Sequence, residues 1–365
     1  MVKQETPLRL LVVGLSWPPE TFLARLLHGL ADRGVQVTLA GAQRPDAGWL
    51  GRAGRGWLPL PRRGAAVALR WAPLARRRWD VIYFPWNAAA VDYLPLFDLG
   101  YPVVVSCRGA QINVAPHNPQ RAALRDGLRA TLTRAAAVHC VSDAIRREAA
   151  QYGLDARKAW VIRPAVDPEL FRPAEAGAAA PAEALRLVTT GSLIWRKGYE
   201  YLLAALRILR DRGCAARLAI IGDGPERQRA LYSIHDLGLT EAVTLHGRLP
   251  PAQVVAQLQQ ADVFVLASLS EGISNAALEG MACGLAVVSS DCGGMREAVV
   301  DGATGLLVPP RDSAALAGAL ARLAEAPAQR RRMGQAGRAR VLAHFDLADQ
   351  AAQFHALLRA VRIGI

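Results

Sequence analysis

The chain has 365 residues, 44 Lys and Arg against 31 Asp and Glu, and a formal net charge of +13. A composition 52% hydrophobic and 21% charged excludes intrinsic disorder, and the length exceeds one comfortable core, which predicts two domains. No apolar run reaches about 18 residues without a charge, so no membrane span is expected; Met1 to Pro7 lacks a signal-peptide shape, and five cysteines in neither metal nor disulfide spacing fit a reducing cytosol.

Residues 8–13 read as a strand, followed by a turn through Pro18 and Pro19. Helical periodicity over 22–33 stops at Gly34, and 35–39 is the next strand. Further buried strands are expected at 81–84, 103–105, 137–141 and 160–162, with helices at 121–134 and 142–151. Strand–helix alternation of this kind predicts a mostly parallel sheet. The run 173–181, built of Ala, Gly, Pro and Glu, reads as a linker. A second alternation follows. Strands are expected at 185–189, 217–221, 242–245, 263–266, 286–289 and 305–308, and helices at 199–210, 226–236, 251–259 and 275–282. The rest is helical, and the sequence permits its last helix, about 347–360, to brace one domain against the other. Two similar α/β halves would leave a cleft suited to a small molecule.

The charge is unevenly placed. Residues 1–180 hold 24 Lys and Arg against 14 Asp and Glu, and residues 181–365 hold 20 against 17. The basic half should face nucleic acid, anionic lipid or a phosphorylated substrate. No zinc-finger, homeodomain or RNA-binding signature accompanies it, so nucleic acid is the least favoured. The stretch from Arg62 to Trp79, with Val67, Leu69, Trp71 and Leu74 among arginines, admits two readings: a basic amphipathic segment touching anionic lipid, or a core-packed helix with a wet basic side.

The chemistry-bearing residues lie mainly in the second half. Glu271 and Glu279 sit eight residues apart across a loop and a helix start. They face one crevice only if Ser274 or Asn275 begins the helix. A carboxylate pair accepts hydrogen bonds from the vicinal hydroxyls of a sugar or a ribose. The loop from Gly191 to Gly198 carries Ser192, Arg196 and Lys197 between a strand and a helix; it suits a diphosphate or is a solvated basic turn. Gly222 to Pro225 is either a phosphate-approaching loop or simple turn chemistry. Gly293 and Gly294 can offer backbone N–H groups to oxygens, and Glu297 admits a role as a first-turn helix acid. Cys292 has no base near it in sequence and reads as packing. In the first half, Arg108-Gly109 with Gln111 and Asn113 follows a strand and suits an acceptor or a sugar, whereas His117 reads as a surface loop.

These residues together resemble the retaining glycosyltransferases of GT-B fold, family 4 (glycosyl transferases group 1). The resemblance covers nearly the whole chain and is strongest over 185–310. It is carried by Glu271 and Glu279, by Gly280 to Gly284, by Gly293-Gly294, by Asp301 to Pro309, by Gly222 to Pro225 and by Lys197-Gly198. It implies an α/β chain of two Rossmann-like domains with parallel sheets facing across a cleft: an acceptor-side domain over 1–172, a nucleotide-sugar domain over 183–345, and a C-terminal helix over 346–365 free to pack back on the first. Glu279 would bind the ribose, Glu271 the donor-sugar hydroxyls and Lys197 the diphosphate. Gly272, Ile273, Ser274, Gly293 and Gly294 would position sugar and phosphates through their backbone. Gly191, Ser192 and Gly222 complete the expected donor site, and Arg196 and Arg108 join the catalytic set.

Two positions depart from the family pattern. Ser192 stands where many members carry arginine, and Arg108 where many carry the histidine that contacts the donor sugar. The implied reaction moves a sugar from a UDP-, GDP- or ADP-linked donor to a hydroxylated glycan, lipid-linked or small-molecule acceptor with retention. No further cofactor and no metal are expected. The expected location is cytoplasmic, with a peripheral contact on anionic membrane as an open expectation. Other readings of the same residues are sugar-nucleotide epimerisation, phosphorolysis, or a non-catalytic nucleotide-sugar or anionic-glycan binder.

Overall fold

The computed structural model describes residues 6–41, 43–46, 49, 55–59, 78–175 and 184–363. The chain divides into two compact units, Met1–Pro164 with Leu347–Ile365, and Ala165–Asp346.

The first unit is built on a seven-stranded parallel sheet: β1 (Arg9–Val13), β2 (Gln36–Gly41), β3 (Arg55–Pro59), β4 (Val81–Phe84), β5 (Val103–Cys107), β6 (Ala137–Cys140) and β7 (Ala159–Val161), in spatial order β3-β2-β1-β4-β5-β6-β7. The central strands are mostly apolar because helices cover both faces; every residue of β4, β5 and β6 is buried, with Ser106 and His139 the polar exceptions. Several short elements escape the sequence pattern, a strand and a helix among them. β3 carries Gly56 and Pro59, poor strand formers, and is held at the sheet edge by its register with β2, Thr38 opposite Gly56. A short helix, Asn87–Asp92, follows β4.

The helix Leu347–Ile363 belongs to this unit. It buries Phe354, Leu357, Leu358 and Val361 in the core formed with β1, β2 and the Thr21–Asp32 helix. Each such side chain contributes about 1.5–3 kcal/mol of transfer free energy. Arg33 Nη2 donates to Ala348 O (2.8 Å), and Arg362 Nη1 to Thr6 O (3.0 Å).

The second unit has a six-stranded parallel sheet: β8 (Leu185–Thr190), β9 (Ala216–Ile221), β10 (Val243–Gly247), β11 (Val263–Leu266), β12 (Ala286–Ser290) and β13 (Gly305–Val308), in order β10-β9-β8-β11-β12-β13. The Tyr199–Asp211 helix shows why periodicity worked here. It buries Tyr199, Leu202, Leu203, Ala205, Leu206 and Leu209 on one face and gives way to a left-handed Gly213, whose N–H returns to Arg210 O (2.9 Å).

The expected boundary at residue 172 is corrected to Pro164. Residues 165–172 join the second unit because Val166 N–H donates to Phe345 O (3.0 Å) and pairs with Asp346, while Val166 and Phe171 are buried in that unit's core. Most of the expected linker, residues 176–181, lies outside the described residues, as do residues 62–77 of the basic amphipathic stretch. Among the described residues no helix is long and apolar enough to cross a membrane.

Candidate active site

In the second unit the chain leaves β8 toward β9 and β10 on one side of the sheet, then returns to β11, β12 and β13 on the other. The order therefore reverses between β8 and β11. Loops leaving the carboxyl ends of two such strands diverge and open a crevice, which is where open parallel sheets bind ligands. Lys197 is on the loop after β8, and Glu271 on the loop after β11.

These two side chains meet. Lys197 Nζ donates to Glu271 Oε1 at 2.5 Å, and Ser268 Oγ donates to the same oxygen at 2.7 Å. The pair is withdrawn from water, with the Lys197 side chain 14% and the Glu271 side chain 8% exposed. Further hydrogen bonds, two of them between backbone groups, stitch the loops together. Leu269 N–H donates to Arg196 O (2.8 Å), Gly294 N–H to Gly272 O (2.7 Å) and Tyr199 Oη to Gly191 O (3.0 Å). A Cβ on Gly222 would lie 1.9 Å from Gly191 O, and one on Gly293 1.9 Å from Glu271 O. Gly191, Lys197, Gly222, Glu271, Gly272, Gly293 and Gly294 thus form one cluster.

The helix Asn275–Ala282 starts where the carboxylate spacing requires. Ser274 is its N-cap and accepts from Ala277 N–H (3.4 Å). Ile273 and Ser274 are buried, and Glu279 is half-buried on the second turn, its charge felt by the Cys283 thiol. The Arg196 side chain makes no ion pair among the described residues, and Ser192 is exposed. No cluster of His, Cys, Asp or Glu among the described residues is arranged to hold a metal ion.

Both halves of the chain match models of one family: residues 175–340 match glycosyl transferases group 1, and residues 19–170 match glycosyltransferase family 4. The chain belongs to glycosyltransferase family 4. WcaL of Escherichia coli, named as a colanic acid biosynthesis glycosyltransferase, is 35% identical over 187 residues, 50% of this chain and 46% of that protein; the match spans about half of that relative's length. Sucrose-phosphate synthase from Thermosynechococcus elongatus superposes with a TM-score of 0.83 at 22% identity, covering 96% of this chain and 98% of that one. HepE from Anabaena, crystallised with UDP-glucose, superposes at 0.80 and 20% identity over 96% and 99% of the two chains. These likenesses establish the GT-B fold of the family 4 chain.

Sequence reasoning had not singled out Ser268 and Tyr199. Ser268 stands three residues before Glu271, a spacing at which a loop hydroxyl can meet a carboxylate. Tyr199 opens the helix after Gly198 in the left-handed conformation, which turns its ring back beneath the Gly191 loop. In the family 4 chain's other unit, Arg108 follows β5. Its Nε donates to Pro85 O (3.1 Å) and its Nη2 to Tyr83 Oη (2.9 Å), with the guanidinium 5.2 Å from the centre of the Phe22 ring. His117 is on an exposed turn, 4.0 Å from Glu148, in keeping with a surface loop.

Cys292 is buried, and its thiol is pushed up to about 12, chiefly by burial and then by the Glu271 charge, with Lys197 acting the other way. A thiol held neutral makes a poor nucleophile. Iodoacetamide added to the native protein is therefore expected to label half-buried Cys214 well ahead of Cys292. Peptide mass spectrometry reads this, and preferential labelling of Cys292 would refute its packing role.

Proposed function

We propose that this chain transfers a sugar from a nucleotide-diphosphate donor to a hydroxylated acceptor in glycan biosynthesis, with retention of anomeric configuration. The observation that carries the reading is the buried Lys197–Glu271 pair at the β8/β11 switch point. Both contacts to Glu271 fall on Oε1, which leaves Oε2 to accept from sugar hydroxyls. The Lys197 ammonium has three N–H donors and uses one on Glu271; on this reading the other two would serve the leaving diphosphate. Positive charge there is stabilising as the anomeric carbon gains oxocarbenium character and the phosphate gains charge. In a same-face route the leaving phosphate would take the acceptor's proton, which needs no protein nucleophile. UDP-glucose in HepE and the naming of WcaL support a nucleotide-sugar donor and a glycan product. Glu279 is assigned to the ribose, and the acceptor to the first unit.

Calorimetry with UDP-, GDP- and ADP-sugars on wild type and Glu279→Ala tests the donor. One donor should bind wild type and bind the variant about 10–100-fold more weakly, the size expected for lost charge-assisted hydrogen bonds. Equal binding by both proteins would remove the ribose assignment. Absence of a sugar-transfer product by mass spectrometry, with that donor and a broad acceptor panel, would remove the transferase reading.

A further inference from the structure

Behind Arg108 runs a buried chain of hydrogen bonds whose direction can be worked out. His139 is fully buried in β6, with Nε2 2.8 Å from Ile162 O and Nδ1 2.7 Å from Ser106 Oγ. A carbonyl only accepts, so Nε2 carries the proton. Burial, then the Arg108 charge, hold the imidazole well below its ordinary pKa, so the ring is neutral and Nδ1 accepts from Ser106. The Ser106 oxygen then accepts from Tyr83 Oη (2.8 Å), and Tyr83 Oη accepts from Arg108 Nη2 (2.9 Å). Every hydrogen points away from Arg108. Its guanidinium is held by oxygen lone pairs and the face of Phe22.

This arrangement fixes the Arg108 fork while leaving its charge unbalanced. Among the described residues Arg108 pairs with no carboxylate, and Glu20, two residues before Phe22, is exposed. Two N–H groups are used on Pro85 and Tyr83, so three of five remain. The place is the carboxyl end of β5, beside β4, whose neighbour β1 marks the reversal of strand order in this sheet.

We infer that Arg108 is an oxyanion-binding residue, gripping a phosphate or carboxylate group carried by a substrate of this chain, and that Tyr83, Ser106 and His139 are the positioning residues that hold its fork. The inference deepens the proposed transfer reaction and adds an anionic group to the description of the substrate. A planar, pre-oriented guanidinium with free donors matches an oxyanion in bidentate geometry. A histidine at this position would present at most two N–H donors and no permanent charge.

The hydrogen-bond chain supplies its own reporter. The full chain, 15N-labelled in its histidine rings, is titrated with sodium phosphate and separately with UDP and GDP. His139 signals are assigned by their loss in His139→Gln. Wild type should show a saturable His139 shift, and Arg108→Gln should lose it or need at least about 10-fold more ligand. Arg108→Lys, which keeps the charge without the fork, should fall between them and serves if the glutamine variant does not fold. A shift with UDP or GDP that is lost in Glu279→Ala assigns the oxyanion to the donor's diphosphate. A phosphate shift that survives both Glu279→Ala and saturating nucleotide assigns it to the acceptor. No saturable shift with any of these anions, or the wild-type response in Arg108→Gln, would overturn the inference. The titration involves no turnover, so its failure leaves the transfer reading to the donor and product assays.

Discussion

Glu271→Gln is expected to lower turnover about 100-fold and to lower Tm by about 6–12 °C. The amide preserves the shape of the side chain but cannot balance the Lys197 ammonium, 2.5 Å away in a site largely closed to water. Removing one member of a buried ion pair costs about 3–5 kcal/mol, mostly because the other charge is left desolvated and unpaired. The remaining exposure of both side chains points to the lower end, about 3 kcal/mol, and hence to the stated Tm range for a unit of this size. On the proposed transfer reaction the functional loss would have a separate origin: the acceptor for sugar hydroxyls and the placement of Lys197 against the leaving diphosphate. The two effects can be separated. Glu271→Gln combined with Lys197→Met removes both charges and should recover much of the lost Tm, while turnover stays at the floor. Recovery of turnover in the double variant, or wild-type turnover in Glu271→Gln, would show that the pair is structural.

Much of this architecture can be read from local pattern because buried parallel strands and amphipathic helices are local signals. The runs 81–84, 263–266 and 305–308 are apolar from end to end and became strands with those bounds. Ser274 announces the helix that carries Glu279 by its capping hydroxyl. β3 was illegible for the complementary reason: Gly56 and Pro59 oppose a strand, and only the edge of β2 supplies its partners. The unit boundary was misplaced because residues 165–172 are assigned by their bonds to residue 345, a contact that no window of sequence contains.

The candidate site divides in the same way. Lys197, Glu271 and the glycines that approach them were found through spacing that resembles a family. Ser268 and Tyr199 were missed because their roles depend on how two loops face each other. The Arg108 chain is harder still. Tyr83, Ser106 and His139 come from three separate strands, and only the register that sets Ser106 opposite His139 reveals them as one network.

Gly293→Ala is expected to cost about 3 kcal/mol of stability and about 100-fold in turnover without touching a charged group. Gly293 has φ of +56°, where an L side chain is strained by about 1–2 kcal/mol. The added methyl would also lie 1.9 Å from the carbonyl oxygen of Glu271 and 2.9 Å from its carbon. These are backbone atoms with no rotamer to yield, and the loops are tied beside them by Gly294 N–H to Gly272 O. Relief requires moving the Glu271 backbone by an ångström or so, enough to pull its carboxylate off Lys197 and out of reach of a bound sugar. Gly302→Ala separates strain from displacement. Its φ of +75° imposes a similar conformational cost, but a methyl there meets nothing within 4 Å, so it should lose only about 1 kcal/mol and keep its turnover. Thermal melts and turnover assays on the two variants give the comparison. If both lose turnover alike, the effect is general loosening of the unit; if only Gly293→Ala does, the glycine acts by letting the β12 loop close against the Glu271 carbonyl.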